Sequence, residues 1–121
     1  MKSLQVGLIG CGGFAKGMHI PILKNNPKYK IHAAMDIVEE AAKTVAESTG
    51  AKYWTTDVDK LLADEEIDVV FITTRHDSHA QLSIKAANAG KHIMCEKPMA
   101  LNIEDCKAVV EAVKKNKVKY T

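Results

Sequence analysis

Three stretches of this sequence carry residue types whose spacing suits chemistry. The first is GLIGCGGFA, which contains Gly10-x-Gly12-x-x-Ala15. Between a strand and a helix, the first glycine permits a tight turn and the second admits a pyrophosphate against bare backbone. A small third residue lets the helix pack on its strand, while free N–H groups at the helix start meet phosphate charge. Gly13 and Phe14 continue that turn and join Gly10 and Gly12 as candidate phosphate contacts. The second stretch ends at Asp36, 26 positions beyond Gly10. A carboxylate near that spacing accepts hydrogen bonds from both ribose hydroxyls of a dinucleotide and repels a 2′-phosphate, favouring NAD over NADP. A competing role for Asp36 is to cap the helix that VEEAAK predicts. The third stretch is HIMCEKPMA, where Glu96, Lys97 and Pro98 follow directly on an apolar run. Proline ending a strand with its charges in water would be one explanation.

Such residues act together only if the chain brings them to one place. Apolar runs alternate with helical patterns along the whole sequence. Strands are predicted at Leu4–Ile9, Tyr29–Met35, Ala51–Trp54, Asp68–Thr73 and His92–Cys95. DVVFIT is nearly all apolar, as in a strand covered on both faces. A helical segment from Gly13 should be kinked or broken at Pro21. Further helices are predicted at Val38–Ser48, stopped by Gly50, at Val58–Ala63 behind an Asp57 cap, and at Ser78–Ala89, stopped by Gly90. The last covers Asn102–Lys115, with Asn102 and Asp105 spaced as in a capping box and KKNKVK at its cationic end. Strand–helix alternation implies right-handed crossovers and a doubly wound parallel α/β sheet, a Rossmann fold in one domain over residues 1–121. Ligands of such sheets bind beyond the C-terminal ends of the strands. Glu96, Lys97 and Pro98 belong to that edge.

Bulk properties narrow the classes. The chain has 121 residues, 46% hydrophobic and 26% charged, enough for one buried core. A net charge of +2 spread along the chain gives no basic patch for nucleic acid. No apolar run reaches membrane-spanning length and the N-terminus lacks a signal-peptide layout, so a cytoplasmic protein is expected. Three cysteines without a CxxC pair fit free thiols in a reducing compartment. Cys11 in the glycine loop is read as a packing residue, its place near a helix start leaving oxidant sensitivity open. His76-x-x-His79 with Asp77 lacks the further ligands of a structural zinc site, so no metal is expected and Asp77 or Ser78 reads as a helix cap. His19 and His32 are read as residues of partly buried faces.

Taken together, GLIGCGGFAKGMHIPIL, AAMD, ITTRHDSHA and AGKHIMCEKPMAL resemble the N-terminal domain of the glucose–fructose oxidoreductase / inositol dehydrogenase (Gfo/Idh/MocA) family over essentially the whole chain. E-K-P preceded by A-G-K-H is the most specific of these. The resemblance implies that Gly10, Gly12 and the following turn hold the pyrophosphate, Asp36 the adenosine ribose, and Thr73 and Thr74 the wall of the cofactor cleft. It implies that His79 opens the next helix beside the cofactor. Glu96 and Lys97 would approach the nicotinamide, Lys97 moving the hydroxyl proton of a sugar or cyclitol or polarising its oxygen, and Glu96 orienting Lys97 or offsetting its charge, with a cis peptide before Pro98. It also implies a second α+β domain supplying substrate contacts and a homo-oligomeric full-length protein. On this view the chain is a cofactor domain, inactive alone. One departure is Thr74-Arg75-His76 where many members read T-P-N. Arg75 there suits an acidic substrate or simply faces solvent. Rival readings are a non-catalytic NAD sensor, which needs no positioned lysine, and an S-adenosylmethionine-dependent methyltransferase, which Ala15 and the E-K-P turn disfavour.

Overall fold

The computed structural model describes residues 2–121; Met1, the first position of the expected domain, lies outside the described residues. Five strands form one all-parallel sheet in the order β3-β2-β1-β4-β5. They are β1 (Leu4–Ile9), β2 (Tyr29–Met35), β3 (Tyr53–Thr55), β4 (Val69–Ile72) and β5 (His92–Cys95). The helices are α1 (Ile20–Lys24), α2 (Glu39–Thr49), α3 (Val58–Leu62), α4 (His79–Asn88) and α5 (Ile103–Asn116). This is the doubly wound Rossmann arrangement that the alternating pattern predicts.

Two apolar clusters cover the two faces of the sheet. Val6, Leu8, Ile31 and Ala34 pack with Ile20 and Leu23 of α1 and Val45 and Ala46 of α2. Ile9, Ala33, Met35, Val70, Ile72 and Ile93 pack with α3, α4 and α5 through Leu61, Ala86, Ala87 and Ala112. Burial on both sides is why β2 is a strand despite its weak propensity: its alanines fill places where small side chains bring helices close. Gly7 does the same in β1, since a Cβ there would stand 2.8 Å from Leu61 Cδ2. Between Val6 and Gly7 the β1–β2 register shifts, and His32 is the extra residue on β2.

Most element ends fall within two residues of expectation. β4 starts one residue late because Asp68 turns its carboxylate to the Gln5 N–H at 2.8 Å. β3 starts at Tyr53, since the Ala51 N–H still bonds the Ala46 carbonyl closing α2. The interruption expected at Pro21 is a widened π-helical turn over Ala15–His19 that feeds straight into α1. There the Ile20 N–H reaches the Ala15 carbonyl, five residues back, immediately ahead of the residue that has no N–H to give. Asp57 and Asn102 cap their helices through Asp59 N–H and Asp105 N–H. Past α5, Lys119–Thr121 runs alongside β5, with Cys95 N–H donating to Thr121 O at 2.8 Å.

Candidate functional site

The C-terminal ends of β1, β2, β4 and β5 open onto a single cleft of about 1010 Å³. Gly10, Gly12, Phe14, Asp36, Thr73, Thr74, His79, Glu96, Lys97 and Pro98 all line it. Gly13 starts the helix and stands outside the lining. Residues 88 positions apart in the chain thus share one wall because the parallel crossovers return every strand end to the same edge.

The glycine loop is fixed from below. Gly10 has φ of +106°, and a Cβ there would lie 2.8 Å from Thr73 Oγ1 and 3.0 Å from the Thr74 nitrogen. Its N–H donates to Met35 O at 2.8 Å, and the Thr73 hydroxyl donates to its carbonyl at 3.1 Å. Gly12 differs: a Cβ there would meet nothing within 4 Å, so the space above it is open cleft. Ala15 is buried in the α1–α2 side of the core, the close helix–strand packing that the third small position requires. Asp36 Oδ2 accepts the Cys11 N–H at 2.8 Å and Oδ1 accepts the Val38 N–H at 2.9 Å. The carboxylate therefore ties the loop to the end of β2 and keeps a second lone pair on each oxygen. Val38, not Asp36, occupies the N-cap of α2.

At the other end of the cleft, Glu96 N–H continues the sheet by bonding Ile72 O at 3.0 Å. The Lys97–Pro98 peptide is cis. Lys97 is exposed, while His79 beneath it is fully buried. His79 Nδ1 lies 2.8 Å from Pro98 O and Nε2 lies 3.0 Å from Thr74 O. Both ring nitrogens face backbone carbonyls, one of them through the ring N–H, so His79 stands between the Thr74 loop and the E-K-P turn. Arg75 and Asp77 stand 3.8 Å apart on the exposed rim. Ser78 takes the N-cap position of α4 but turns its hydroxyl back to Arg75 O.

His19 is the site residue that sequence reasoning passed over. Its Nε2–H donates to Glu96 Oε2 at 2.7 Å, and its ring stacks on Phe14 with centroids 5.6 Å apart. The stretch GMHIP was visible, but only the widened turn puts residues five apart on one face. Glu96 also accepts the Lys97 N–H at 3.3 Å through its other oxygen. The pair His19–Glu96 therefore braces the backbone that carries Lys97.

Cys11 settles on packing. It is fully buried, and its thiol donates to Met35 O at 3.4 Å. Burial, then the nearby Asp36 carboxylate, push its pKa up to about 12. Thiolate being the reactive form, iodoacetamide at pH 8 is expected to label the half-buried Cys106 well before Cys11. Peptide mass spectrometry over a labelling time course reads the order, and equal rates would contradict a sealed loop.

No helix among the described residues is long and apolar enough to cross a membrane. Comparison with known proteins gives a consistent result. Residues 4–121 match the model of the oxidoreductase family with an NAD-binding Rossmann fold (Gfo/Idh/MocA). The chain is 37% identical over 117 residues to the uncharacterized oxidoreductase YrbE of Bacillus subtilis, covering 97% of this chain and 34% of that protein. It is 33% identical over 117 residues to inositol 2-dehydrogenase of Salmonella typhimurium, covering 94% of this chain and 34% of the relative. The 3-ketoreductase of Actinomadura kijaniata, solved with NADP and TDP-benzene, superposes with a TM-score of 0.91 at 24% identity, over 97% of this chain and 36% of its own. That last likeness speaks for the fold alone. The chain spans about a third of the length of these relatives. With its family model matched over nearly every residue, and with the glycine loop, Asp36 and the E-K-P turn on one cleft, the chain belongs to the Gfo/Idh/MocA oxidoreductase family as an NAD(P)-binding Rossmann domain.

Proposed function

We propose that this chain is the cofactor-binding domain of an NAD-dependent dehydrogenase acting on a secondary alcohol of a sugar or cyclitol. The observation that carries it is the single cleft running from the glycine loop and Asp36 to Lys97. Open space above Gly12 and the bare backbone there fit a pyrophosphate. Bound nicotinamide supplies a hydride acceptor at C4. Gly10, Gly12 and Phe14 hold the phosphates, and Asp36 takes the ribose hydroxyls on its remaining lone pairs. Lys97, as the neutral amine, takes the proton of the substrate hydroxyl while the carbinol carbon gives up its hydride. Glu96, braced by His19, orients the turn. Remaining substrate contacts come from a second domain, in a homo-oligomeric protein of the cytoplasm. The inositol 2-dehydrogenase relative supports the cyclitol or sugar class.

Cofactor choice tests this reading. Asp36 is followed by exposed Ile37 and Val38, so the residues directly after it offer no cation to a 2′-phosphate. Fluorescence titration is expected to show NADH binding at least about tenfold tighter than NADPH, a difference of ~1.4 kcal/mol. Asp36→Asn should shrink that gap, because it keeps most hydrogen bonds and removes the repelling charge. Equal affinity of the parent chain for both cofactors would take Asp36 out of the ribose site.

A further inference from the structure

A second polar cluster lies across the sheet from the cleft, where the Asp64–Asp68 loop enters β4. The register shift between β1 and β2 leaves His32 as the extra residue, and bulges of this kind re-aim side chains. His32 is 2% exposed, and its Nε2 faces Asp64 Oδ2 at 3.1 Å and Glu66 Oε2 at 3.4 Å. Its Nδ1 lies 3.2 Å from Gln5 Oε1, which can only accept. With the ring proton on Nδ1 toward Gln5, the lone pair of Nε2 points at two carboxylates. In that tautomer a cation among the three atoms is what holds them together.

We infer that His32, Asp64 and Glu66 form a binding site for a divalent transition-metal ion of the zinc class. Two cations suit the place, a second ring proton or a metal, and one proton serves a single acceptor well whereas a metal ion holds both oxygens at once. A charge-assisted N–H···O⁻ bond runs to ~2.7–2.9 Å, as His19–Glu96 does in this same chain at 2.7 Å. The His32 contacts are longer and divided between two oxygens. The longer of them, 3.4 Å, equals the ~3.3–3.4 Å edge of a tetrahedron with metal–ligand bonds of ~2.0–2.1 Å, and the shorter lies about 0.2–0.3 Å inside it. All three donor atoms lie within 4.8 Å of one another. One imidazole and two carboxylates are ordinary zinc ligands, and water would complete the shell.

The surroundings support the ion. Gln5 Oε1 holds the far ring nitrogen and the Tyr53 hydroxyl donates to Asp64 Oδ2 at 2.7 Å, the outer contacts that fix ligands in place. Asp64, Glu65, Glu66 and Asp68 put four carboxylates in five positions. Two ammonium groups answer them: Lys52, 3.6 Å from Glu66, and Lys91, whose Nζ donates to the carbonyls of Asp64 and Ile67. A divalent cation removes the remaining excess. No sequence motif announces the site, because 32 residues separate His32 from Asp64.

Isothermal titration of the chelator-stripped chain with zinc chloride tests it. One ion per chain is expected, with a raised unfolding temperature. His32→Gln should abolish binding. Glu66→Gln, at an exposed position that leaves the core alone, should weaken it at least about tenfold, since loss of outer-shell partners alone costs 10–100-fold. His76→Gln on the cleft rim should change nothing. Cobalt(II) spectra should show weak visible bands without intense thiolate absorption, which excludes the cysteines as ligands. Absence of binding, affinity unchanged in Glu66→Gln, a thiolate band, or an Nε2-bound proton seen by NMR in excess zinc would each overturn the site.

Discussion

Lys97→Ala is expected to lower turnover of the full-length oxidoreductase by about 10²–10⁴-fold, the usual contribution of a positioned acid or base. NADH affinity should stay close to parental, because the proposed phosphate and ribose contacts, Gly12 and Asp36, lie at the far end of the cleft. The lysine is exposed, but its backbone is not free: Glu96 N–H is in the sheet, Pro98 O is held by His79, and Glu96 is held by His19. A side chain mounted so firmly at the ligand edge suits proton transfer to a bound hydroxyl. Lys97→Arg should not restore activity, since guanidinium does not release its proton at working pH. The 121-residue chain alone should bind NADH and catalyse nothing, because orientation worth ~7–11 kcal/mol needs the other wall of the site. Steady-state kinetics of the full-length variants, with NADH binding measured separately, separates the roles. Near-parental turnover of Lys97→Ala would leave the charged pair a solvated strand end and put the proton transfer on another residue.

His19→Ala should act in the same direction but less strongly. Glu96 would lose its 2.7 Å donor and the turn its brace, while Lys97 itself remains. A positioning role predicts lower kcat with little change in NADH affinity and partial recovery in His19→Gln, whose amide can still donate to Glu96. Loss of NADH binding in His19→Ala would show instead that the ring supports the glycine loop through Phe14.

What was legible in the sequence follows from how local each feature is. Apolar runs and helical patterns report burial, so β1 to β5 and α2 to α5 could be found, and the order of elements dictated the crossovers. Gly10 and Asp36 were legible because their chemistry needs little beyond a strand end. The brace between His19 and Glu96 was not, since 77 positions separate them and a π-helical turn sets the aim. His79 was placed correctly at the opening of α4 yet its surroundings could not be read: its ring sits between two backbone carbonyls from distant loops. His32 was hidden for a different reason. A one-residue bulge in β2 overrides the alternation from which its side would be inferred.

The two glycines of the loop should fail in opposite ways. Gly12→Val adds a branched side chain where a Cβ meets no protein atom within 4 Å, so folding should be nearly unchanged. The same side chain fills the space into which the pyrophosphate must come, and NADH affinity should fall at least about 100-fold, ~2.7 kcal/mol. Gly10→Val has the reverse character. Its φ of +106° lies where β-branched residues are strained, and its Cβ would press on Thr73 and Thr74 backbone at 3.0 Å. Strain of that kind costs roughly 1–3 kcal/mol, and for a domain of about this size each kcal/mol lowers Tm by roughly 4–8 °C. Thermal unfolding and NADH titration of both variants read the two effects independently. If Gly12→Val binds NADH as the parent does, the phosphates lie elsewhere in the cleft. If Gly10→Val keeps its Tm, the loop can move away from β4, and the clamp formed by Thr73 and Met35 is weaker than its hydrogen bonds imply. A defect in binding alone at Gly12, beside a defect in stability at Gly10, is the pattern that a phosphate cradle built on a fixed turn demands.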